Sequence, residues 1–452
     1  MGAVALVDFG STYTKVSLVE PGEGRLLARA EAPTSIGTDL MDGYSAALDA
    51  ARQSAGGGVT IDEALAVSSA GGGLRVAAVG LVEDLTAAAA RQAALNAGAR
   101  VEMVLSGDLS DDQLDRLEAL RPEILLFAGG TDGGQADLVL ENARRLASRG
   151  IGGNAVVACN AAVAGEAAEM LRAGGMRAEV AANVMPELER LEIESAREAI
   201  LRVFLEHVIG GKGLSASPEF ERMVRLPTPE AVLEATRLLG DAVVIDVGGA
   251  TTDVDSDRSA EVEMPGIEDP LLPPPATLRT VEGDLGMRYS AAGVAAVDAR
   301  WLASESRADE AAIRHAVSVR TESPEWLAEG EEELAFDALL AVGCATHALA
   351  RHCGTMLLTR SEGGPPTLAR SGPDLREVDL VLGTGGVFAH RPDGEEILRA
   401  ALARKAPRSL VPREPKVRVD RNYLLAAAGL LGTEDAPAAR RLLARELDLD
   451  LH

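Results

Sequence analysis

Two short segments of the chain combine residue types that can hold a phosphate and a metal ion. Asp8-Phe9-Gly10-Ser11-Thr12-Tyr13-Thr14-Lys15 and Asp246-Val247-Gly248-Gly249-Ala250-Thr251-Thr252-Asp253 each follow a short apolar run. Each opens on an aspartate and runs through glycine and hydroxyl residues into a second strand-like stretch. A tight loop after a buried strand leaves backbone N–H groups pointing outward. Glycine lets an anion approach them closely, because no Cβ intervenes. Gly10, Ser11, Thr12, Gly248, Gly249, Thr251 and Thr252 are the candidate phosphate binders, and Lys15 offers a point charge. A carboxylate cannot hold phosphate itself. It can hold Mg²⁺, usually through water, and the metal then bridges phosphate oxygens. Asp8 and Asp246 are therefore the candidate metal-holding and water-polarising residues. Either loop alone reads equally well as a hairpin with a capping aspartate. Two in matching contexts point to duplicated domains facing one nucleotide across a cleft.

A third segment, Leu382-Gly383-Thr384-Gly385-Gly386-Val387, follows an apolar run and opens a helical pattern. Gly383, Gly385 and Gly386 would let a flat nucleoside lie against backbone. Such a turn is common in α/β proteins and is weak by itself. The chain has neither a G-x-x-x-x-G-K-[ST] loop nor a convincing strand–GxGxxG–helix unit near its N-terminus, which disfavours the common competing nucleotide folds.

The elements that must position these loops alternate. Val4–Val7, Lys15–Glu20 and Arg25–Glu31 read as a three-strand meander, with a turn at Pro21–Gly24. Helical patterns at Tyr44–Ser54, Asp84–Ala97 and Gln135–Arg149 alternate with apolar runs at Ala64–Ser68, Glu102–Leu105, Ile124–Ala128 and Ala155–Cys159. That alternation implies a largely parallel sheet with crossovers. Residues 188–240 read as mostly helical, Val243–Asp246 as a strand and Ala291–Met356 as a long helical region. Small residues in Cys159–Ala173 and in Asp420–Leu431, with Ala426–Gly429, would let helices cross closely. The expected domains are 1–185, 186–420 and a C-terminal helical piece, 421–452.

Composition bounds the function. With 452 residues and 47% hydrophobic content, the chain can bury a large core, yet aromatics are only 3%, so that core is aliphatic and small. A formal charge of −26 and so few aromatics argue against a nucleic-acid partner. Three cysteines make no disulfide framework and fit a reducing, cytoplasmic setting. The start shows no basic region or cleavage site, and no uncharged apolar run reaches the roughly 18 residues of a membrane span. The sequence leaves open whether the chain pairs with a second copy.

Other segments carry weaker signals. Thr280–Arg288 is a glycine turn entering a helix, in which Glu282, Gly283, Asp284 and Arg288 are either near the nucleotide or part of an acidic helix start. Asn160 either orients the attacking water or caps the helix that follows. Ala128–Gly134 either lines the cleft or is a flexible loop. Cys344, His347, His352 and Cys353 do not share one helix face, so zinc is disfavoured. Glu331–Glu333 reads as a solvated helix start.

The first loop resembles the first phosphate motif of actin-like ATPases. Residues 246–253 resemble DLGGGTFD, the second phosphate motif of DnaK-type chaperones, with Ala250 in place of the third glycine. Residues 381–386 resemble the adenosine motif. Across nearly the whole chain, VDFGSTYTKVSLVE, NVMPELE, VIDVGGATTDV, TVEGDLGMRYSA, VLGTGGVFAH and PKVRVDRNYLLAAAGLL together resemble the MutL (GlmL) family, which is distinct from the mismatch-repair protein of that name. The resemblance implies two actin-like, ribonuclease H-like α/β domains, each a mixed sheet flanked by helices, with Cys159–Ala173 and Asp420–Leu431 as the two connecting helices at a hinge. It also implies an ATP·Mg²⁺ site and a role as reactivating or assembly factor for an adenosylcobalamin-dependent glutamate mutase or related aminomutase. No D-x-H-x-x-G cobalamin motif is present, so the cobalamin is not expected in this chain. The rivals are a small-molecule kinase of the same fold, for which Asp253 is the only local base, a nucleotide-dependent scaffold without turnover, and a dehydratase activator. The last needs an iron–sulfur cluster for which the cysteines offer no pattern.

Overall fold

The computed structural model describes residues 2–70, 74–209, 213–259, 267–270, 272–360 and 366–451. The chain forms two compact units. One is Met1–Ala235 with Leu271–Pro275 and Ala426–Glu446; the other is Thr236–Pro270 with Ala276–Leu425 and Leu447–His452.

In the first unit, β1 (Gly2–Phe9), β2 (Tyr13–Glu20) and β3 (Arg25–Pro33) form the expected antiparallel meander. α1 (Leu40–Ser54) packs on it and is started by Asp39, whose side chain accepts from the Met41 N–H at 2.9 Å. β4 (Thr60–Ser68) joins β1 in parallel. The chain then leaves this sheet to build another from β5 (Arg75–Val79), α2 (Ala88–Asn96), β6 (Arg100–Leu105), α3 (Asp111–Leu120), β7 (Ile124–Gly129), α4 (Asp137–Arg149), β8 (Asn154–Cys159), α5 (Ala164–Ala173) and β9 (Arg177–Val180). All its pairings are parallel, in the order β6-β5-β7-β8-β9. β7 is buried at every residue, as a central parallel strand covered on both faces must be. The helix expected over 84–97 begins as a π-helical turn, Glu83–Ala87, before α2. Ala89, Ala90, Ala93 and Ala94 of α2 are fully buried, which is how an aromatic-poor chain brings helix and sheet close.

After α6 (Glu194–Val203) and α7 (Pro218–Met223), β10 (Val224–Pro227) returns to the first sheet beside β4, completing the order β10-β4-β1-β2-β3. α8 (Thr228–Leu239) follows at once. The segment expected to be mostly helical thus contains a strand. It escaped notice because it is four residues long and ends in proline.

The second unit repeats the first sheet. β11 (Ala242–Val247), β12 (Thr252–Asp257) and β14 (Thr277–Glu282) are antiparallel; a short β13 (Ile267–Glu268) lies between the last two in sequence. α9 (Ala291–Ser306), α10 (Glu310–Glu322) and α11 (Glu331–His352) divide the expected helical stretch into three. β15 (Thr355–Arg360) and β16 (Pro366–Ser371) form a small sheet with β13. β17 (Leu380–Thr384), α12 (Gly386–Ala389), α13 (Gly394–Ala403) and β18 (Lys416–Val419) complete a sheet of order β14-β12-β11-β17-β18, with β17 and β18 parallel to β11. Three antiparallel strands followed by two parallel ones is the connectivity of the first sheet, strand for strand. This is the duplicated α/β architecture expected of actin-like units.

α11 is apolar and long enough, by composition, to cross a bilayer. It begins with three glutamates, and its Leu340, Ala341, Cys344, Ala345, Ala348 and Leu349 lie in the second unit's core. It is the unit's central helix.

α14 (Leu425–Gly432) and α15 (Ala436–Glu446) end the chain. Two of the passages between units fall in helices, inside α8, after Ala235, and at the start of α14, after Leu425. The segment 159–173, expected to be the first connecting helix, is instead the β8–α5 step of the inserted parallel sheet. α8 takes that place because it follows the fifth strand of the duplicated sheet, as α14 does. The small residues of 426–429 do serve a close crossing. A Cβ at Gly429 would lie 1.7 Å from the Ala231 carbonyl oxygen of α8.

Candidate functional site

The two acidic hairpins share one backbone geometry. Four residues separate Phe9 from Thr14 and four separate Val247 from Thr252, and each pair is in register. The Gly10 N–H donates to the Tyr13 carbonyl at 3.2 Å, and the Gly248 N–H donates to the Thr251 carbonyl at 2.9 Å. A Cβ at Gly10 would stand 2.7 Å from that Tyr13 oxygen, so the turn requires glycine there. Each aspartate sits one residue before its strand ends.

What lies across from each aspartate differs. Asp8 faces Lys15 and Asp246 faces Asp253, and directly opposed residues share a sheet face. Lys15 Nζ donates to Asp8 Oδ2 at 3.0 Å. The other oxygen, Oδ1, accepts from the Thr228 hydroxyl at 2.7 Å. β10 delivers Thr228 to this point as the first residue of α8. Thr34 braces the loop from the meander: its N–H donates to the Thr12 carbonyl at 2.8 Å and its hydroxyl to the Gly10 carbonyl at 2.9 Å. Ser11 and Thr12 are left exposed at the tip.

In the second hairpin, Asp253 Oδ2 accepts from Arg279 Nη2 of β14 at 2.5 Å. The guanidinium is almost wholly buried. Asp253 is therefore ion-paired through Oδ2, while its buried Oδ1 has no hydrogen-bond partner among the described residues. Asp246 lies against the third glycine loop. Gly385 has φ +97°, and a Cβ on it would fall 2.4 Å from the Val247 carbonyl oxygen and 2.9 Å from Asp246 Oδ1. Only glycine closes that approach without strain.

The segment 283–288 buttresses the second hairpin. Met287 N–H donates to the Gly248 carbonyl at 2.9 Å and Arg288 N–H to the Gly249 carbonyl at 2.8 Å. A Cβ at Gly286 would meet Gly249 O and the Ala250 carbonyl carbon at 2.7 Å. Arg288 continues to Asp337 of α11 at 3.1 Å, which also holds the fully buried Arg320 at 2.7 Å. Arg351 grips Glu282 at 2.7 Å and Asp284 at 2.6 and 2.9 Å, and its hydrogen bonds hold the Asp284 carboxyl below its ordinary pKa. Gly283 stays open, with its carbonyl accepting from Ser290 Oγ at 2.8 Å. Glu282 and Asp284 thus act through Arg351 on the buttress.

Three candidates turn inward. The buried Thr252 hydroxyl donates to the Leu285 carbonyl at 2.9 Å. Gly383 is buried within β17, paired with Ile245 and Val419. Asn160, fully buried at the end of β8, accepts from the Gly133 and Ala162 N–H groups and donates to the Gly134 and Gln135 carbonyls. Its polar atoms hold the 129–135 loop of the inserted sheet and the start of the following turn. Asp132 and Asn183 tie that loop further, with Asn183 Nδ2 donating to Gly130 O and Asp132 Oδ1 at 2.9 and 2.8 Å. It is a braced turn.

The cysteines and histidines of α11 do not converge. His352 places Nδ1 2.8 Å from Thr280 Oγ1 and Nε2 2.8 Å from Ser256 Oγ, while His347 pairs with Asp298 at 2.9 Å. Burial raises the Cys159 and Cys344 thiols to about 12 and Cys353 higher still, so all three stay protonated at neutral pH. Among the described residues, no group of three His, Cys, Asp or Glu could hold a metal.

Thr228 and Arg279 went unnoticed in the sequence. Thr228 had one local signal, a hydroxyl residue before Pro229 where a helix starts. Arg279 had none, because its meaning comes from the β12–β14 register.

A family model described as MutL protein matches residues 4–447. Protein MutL from Clostridium tetanomorphum is 38% identical over 466 residues, covering 99% of each chain. Among solved structures, likeness is remote. Xylulose kinase from Lactobacillus acidophilus is 11% identical, with a TM-score of 0.35, over 100% of this chain and 93% of that one. The activator of the 2-hydroxyisocaproyl-CoA dehydratase from Clostridium difficile, with bound ADPNP, is 11% identical, with a TM-score of 0.31, over 97% of each.

Proposed function

The chain belongs to the MutL protein family, and on that premise we propose that it is an ATP-binding, slowly ATP-hydrolysing accessory factor that reactivates or assembles an adenosylcobalamin-dependent glutamate mutase or related aminomutase in the cytoplasm. The observation that carries the nucleotide half is the pair of matched hairpins. Each holds an aspartate at the same strand position beside the same glycine-started turn. In this reading both hairpins serve one ATP, with Gly10, Ser11, Thr12, Lys15, Gly248, Gly249 and Thr251 at the phosphates and Gly385 and Gly386 at the nucleoside.

The side chains fit Mg²⁺. Asp8 and Asp246 offer hard oxygen donors, and neither hairpin supplies a full protein cage, which suits an ion that keeps its waters and leans on phosphate oxygens. When bound, the ion would neutralise charge on the phosphates. The chain's own residues do the positioning. Lys15 and Thr228 fix the orientation of the Asp8 carboxylate, Gly385 keeps backbone close to Asp246, and 283–288 holds the second loop in shape. The output of hydrolysis is a change of conformation, with ATP and ADP favouring different states.

The kinase alternative needs a free base near the γ-phosphate. Asp253, its one candidate, is engaged by Arg279, which favours the ATPase reading. Two assays test the proposal. Purified protein should release inorganic phosphate from ATP with no acceptor present, and in the presence of ATP should restore a cobalamin-inactivated mutase. Phosphate appearing only on an added hydroxyl substrate would establish a kinase. Absence of both recovery and co-purification with mutase subunits would reject the accessory role.

A further inference from the structure

The loop after β18 presents a polar aromatic pair at the third glycine loop. Tyr423 Oη lies 3.1 Å from His390 Nε2, the ring centroids are 5.7 Å apart, and the planes are inclined by 50°. Gly386 is exposed, and a Cβ there would stand 3.7 Å from Tyr423 Oη. Gly386 therefore leaves an opening beside a hydroxyl that is itself paired with an imidazole nitrogen.

Two observations set this pair apart from surface decoration. First, Tyr423 has φ +49°, in the left-handed region that a bulky residue rarely occupies. Second, the loop bearing it is tied at both ends. The buried Asp420 carboxylate accepts from the Leu424 and Leu425 N–H groups at 2.9 and 3.0 Å, and Asp420 N–H donates to the Gly383 carbonyl at 2.9 Å. Arg421 reaches across to the Arg391 and Pro392 carbonyls at 2.8 and 3.2 Å, clamping this loop to the one that follows His390. The surroundings hold Tyr423 in an unfavourable backbone state and aim its hydroxyl at Gly386.

We propose that Tyr423 and His390 recognise the ribose of the bound nucleotide, with the phenol and imidazole exchanging hydrogen bonds with its 2′- and 3′-hydroxyls above Gly386. Phenol and imidazole each donate or accept, as a sugar hydroxyl does. The inference rests on the ATP reading and adds residues that none of the glycine motifs contains.

The test compares three ligands on the full chain with Mg²⁺ present: ATP, 2′,3′-dideoxy-ATP and inorganic tripolyphosphate. Wild type should bind ATP about five- to tenfold more tightly than the dideoxy analogue, the size of one or two neutral hydrogen bonds. Tyr423→Phe keeps the ring and removes the hydroxyl. It should bind ATP about fivefold more weakly than wild type, with affinity for tripolyphosphate and the dideoxy analogue unchanged and an unaltered melting temperature. His390→Ala should show the same ligand pattern. Equal loss for all three ligands, or no loss for ATP, would overturn the ribose assignment while leaving the ATP reading in place. Failure of wild type to bind both ATP and tripolyphosphate would instead reject the ATP reading, and this inference with it.

Discussion

At the scale of single residues, the first loop is more than its glycines. Thr228 arrives 220 positions after Asp8 and donates to it at 2.7 Å. Thr228→Val removes that donor while nearly keeping the volume. ATP binding measured by titration calorimetry should weaken about tenfold or more, the worth of a hydrogen bond to a charged group, with little change in melting temperature. Unchanged binding would mean that Thr228 merely starts α8. Asp8 and Lys15 were legible because they sit within one local motif. Thr228 was not, because strand pairing between β4 and β10 delivers it. His352 yields a pH prediction. Burial holds its pKa down to about 3, between the Thr280 and Ser256 hydroxyls. An unfolded histidine takes its proton near 6.5. Between these values the unfolded chain binds the extra proton, so His352's contribution is whole above pH 6.5 and is lost as pH falls toward 3. The loss approaches about 1.4 kcal/mol per pH unit. Urea unfolding at pH 7.5, 6.0 and 5.0 should show that slope in wild type and a shallower one in His352→Gln. Parallel slopes would contradict it.

At the scale of elements, two glycines test the packing. A Cβ at Gly429 would press into the Ala231 carbonyl oxygen at 1.7 Å, with backbone on both sides. Gly429→Ala should therefore cost about 1–3 kcal/mol of stability, the range for overpacking, read as a lowered unfolding midpoint. A neutral effect would show that α8 and α14 do not cross as closely as described. Gly286→Ala strikes the second hairpin instead, where Gly249 O and the Ala250 carbonyl carbon lie at 2.7 Å. It should weaken ATP binding more than it lowers stability. Apolar runs and glycine turns marked strands such as β1, β4, β7, β8 and β11, because those signals are local. They could not say that β5–β9 form a sheet of their own, nor that α8 rather than 159–173 follows the fifth strand. Sheet membership is decided by pairing between distant segments, and a parallel step looks the same in either sheet.

At the scale of the whole molecule, the chain shows duplication with divergence. Two sheets share a strand order, and two hairpins share a turn. The residue across from the aspartate is Lys15 in one and Asp253, held by Arg279, in the other. The first hairpin therefore carries its own cation, and the second carries an added carboxylate. The proposed function assigns both hairpins to one nucleotide. Titration of the purified chain with Mg·ATP, beside its Asp8→Asn and Asp246→Asn variants, tests that claim most directly. The account predicts one ATP per chain in wild type and a loss of at least about tenfold in affinity in either variant. Undiminished binding in both variants, or two independent ATP sites each lost with one aspartate, would contradict it.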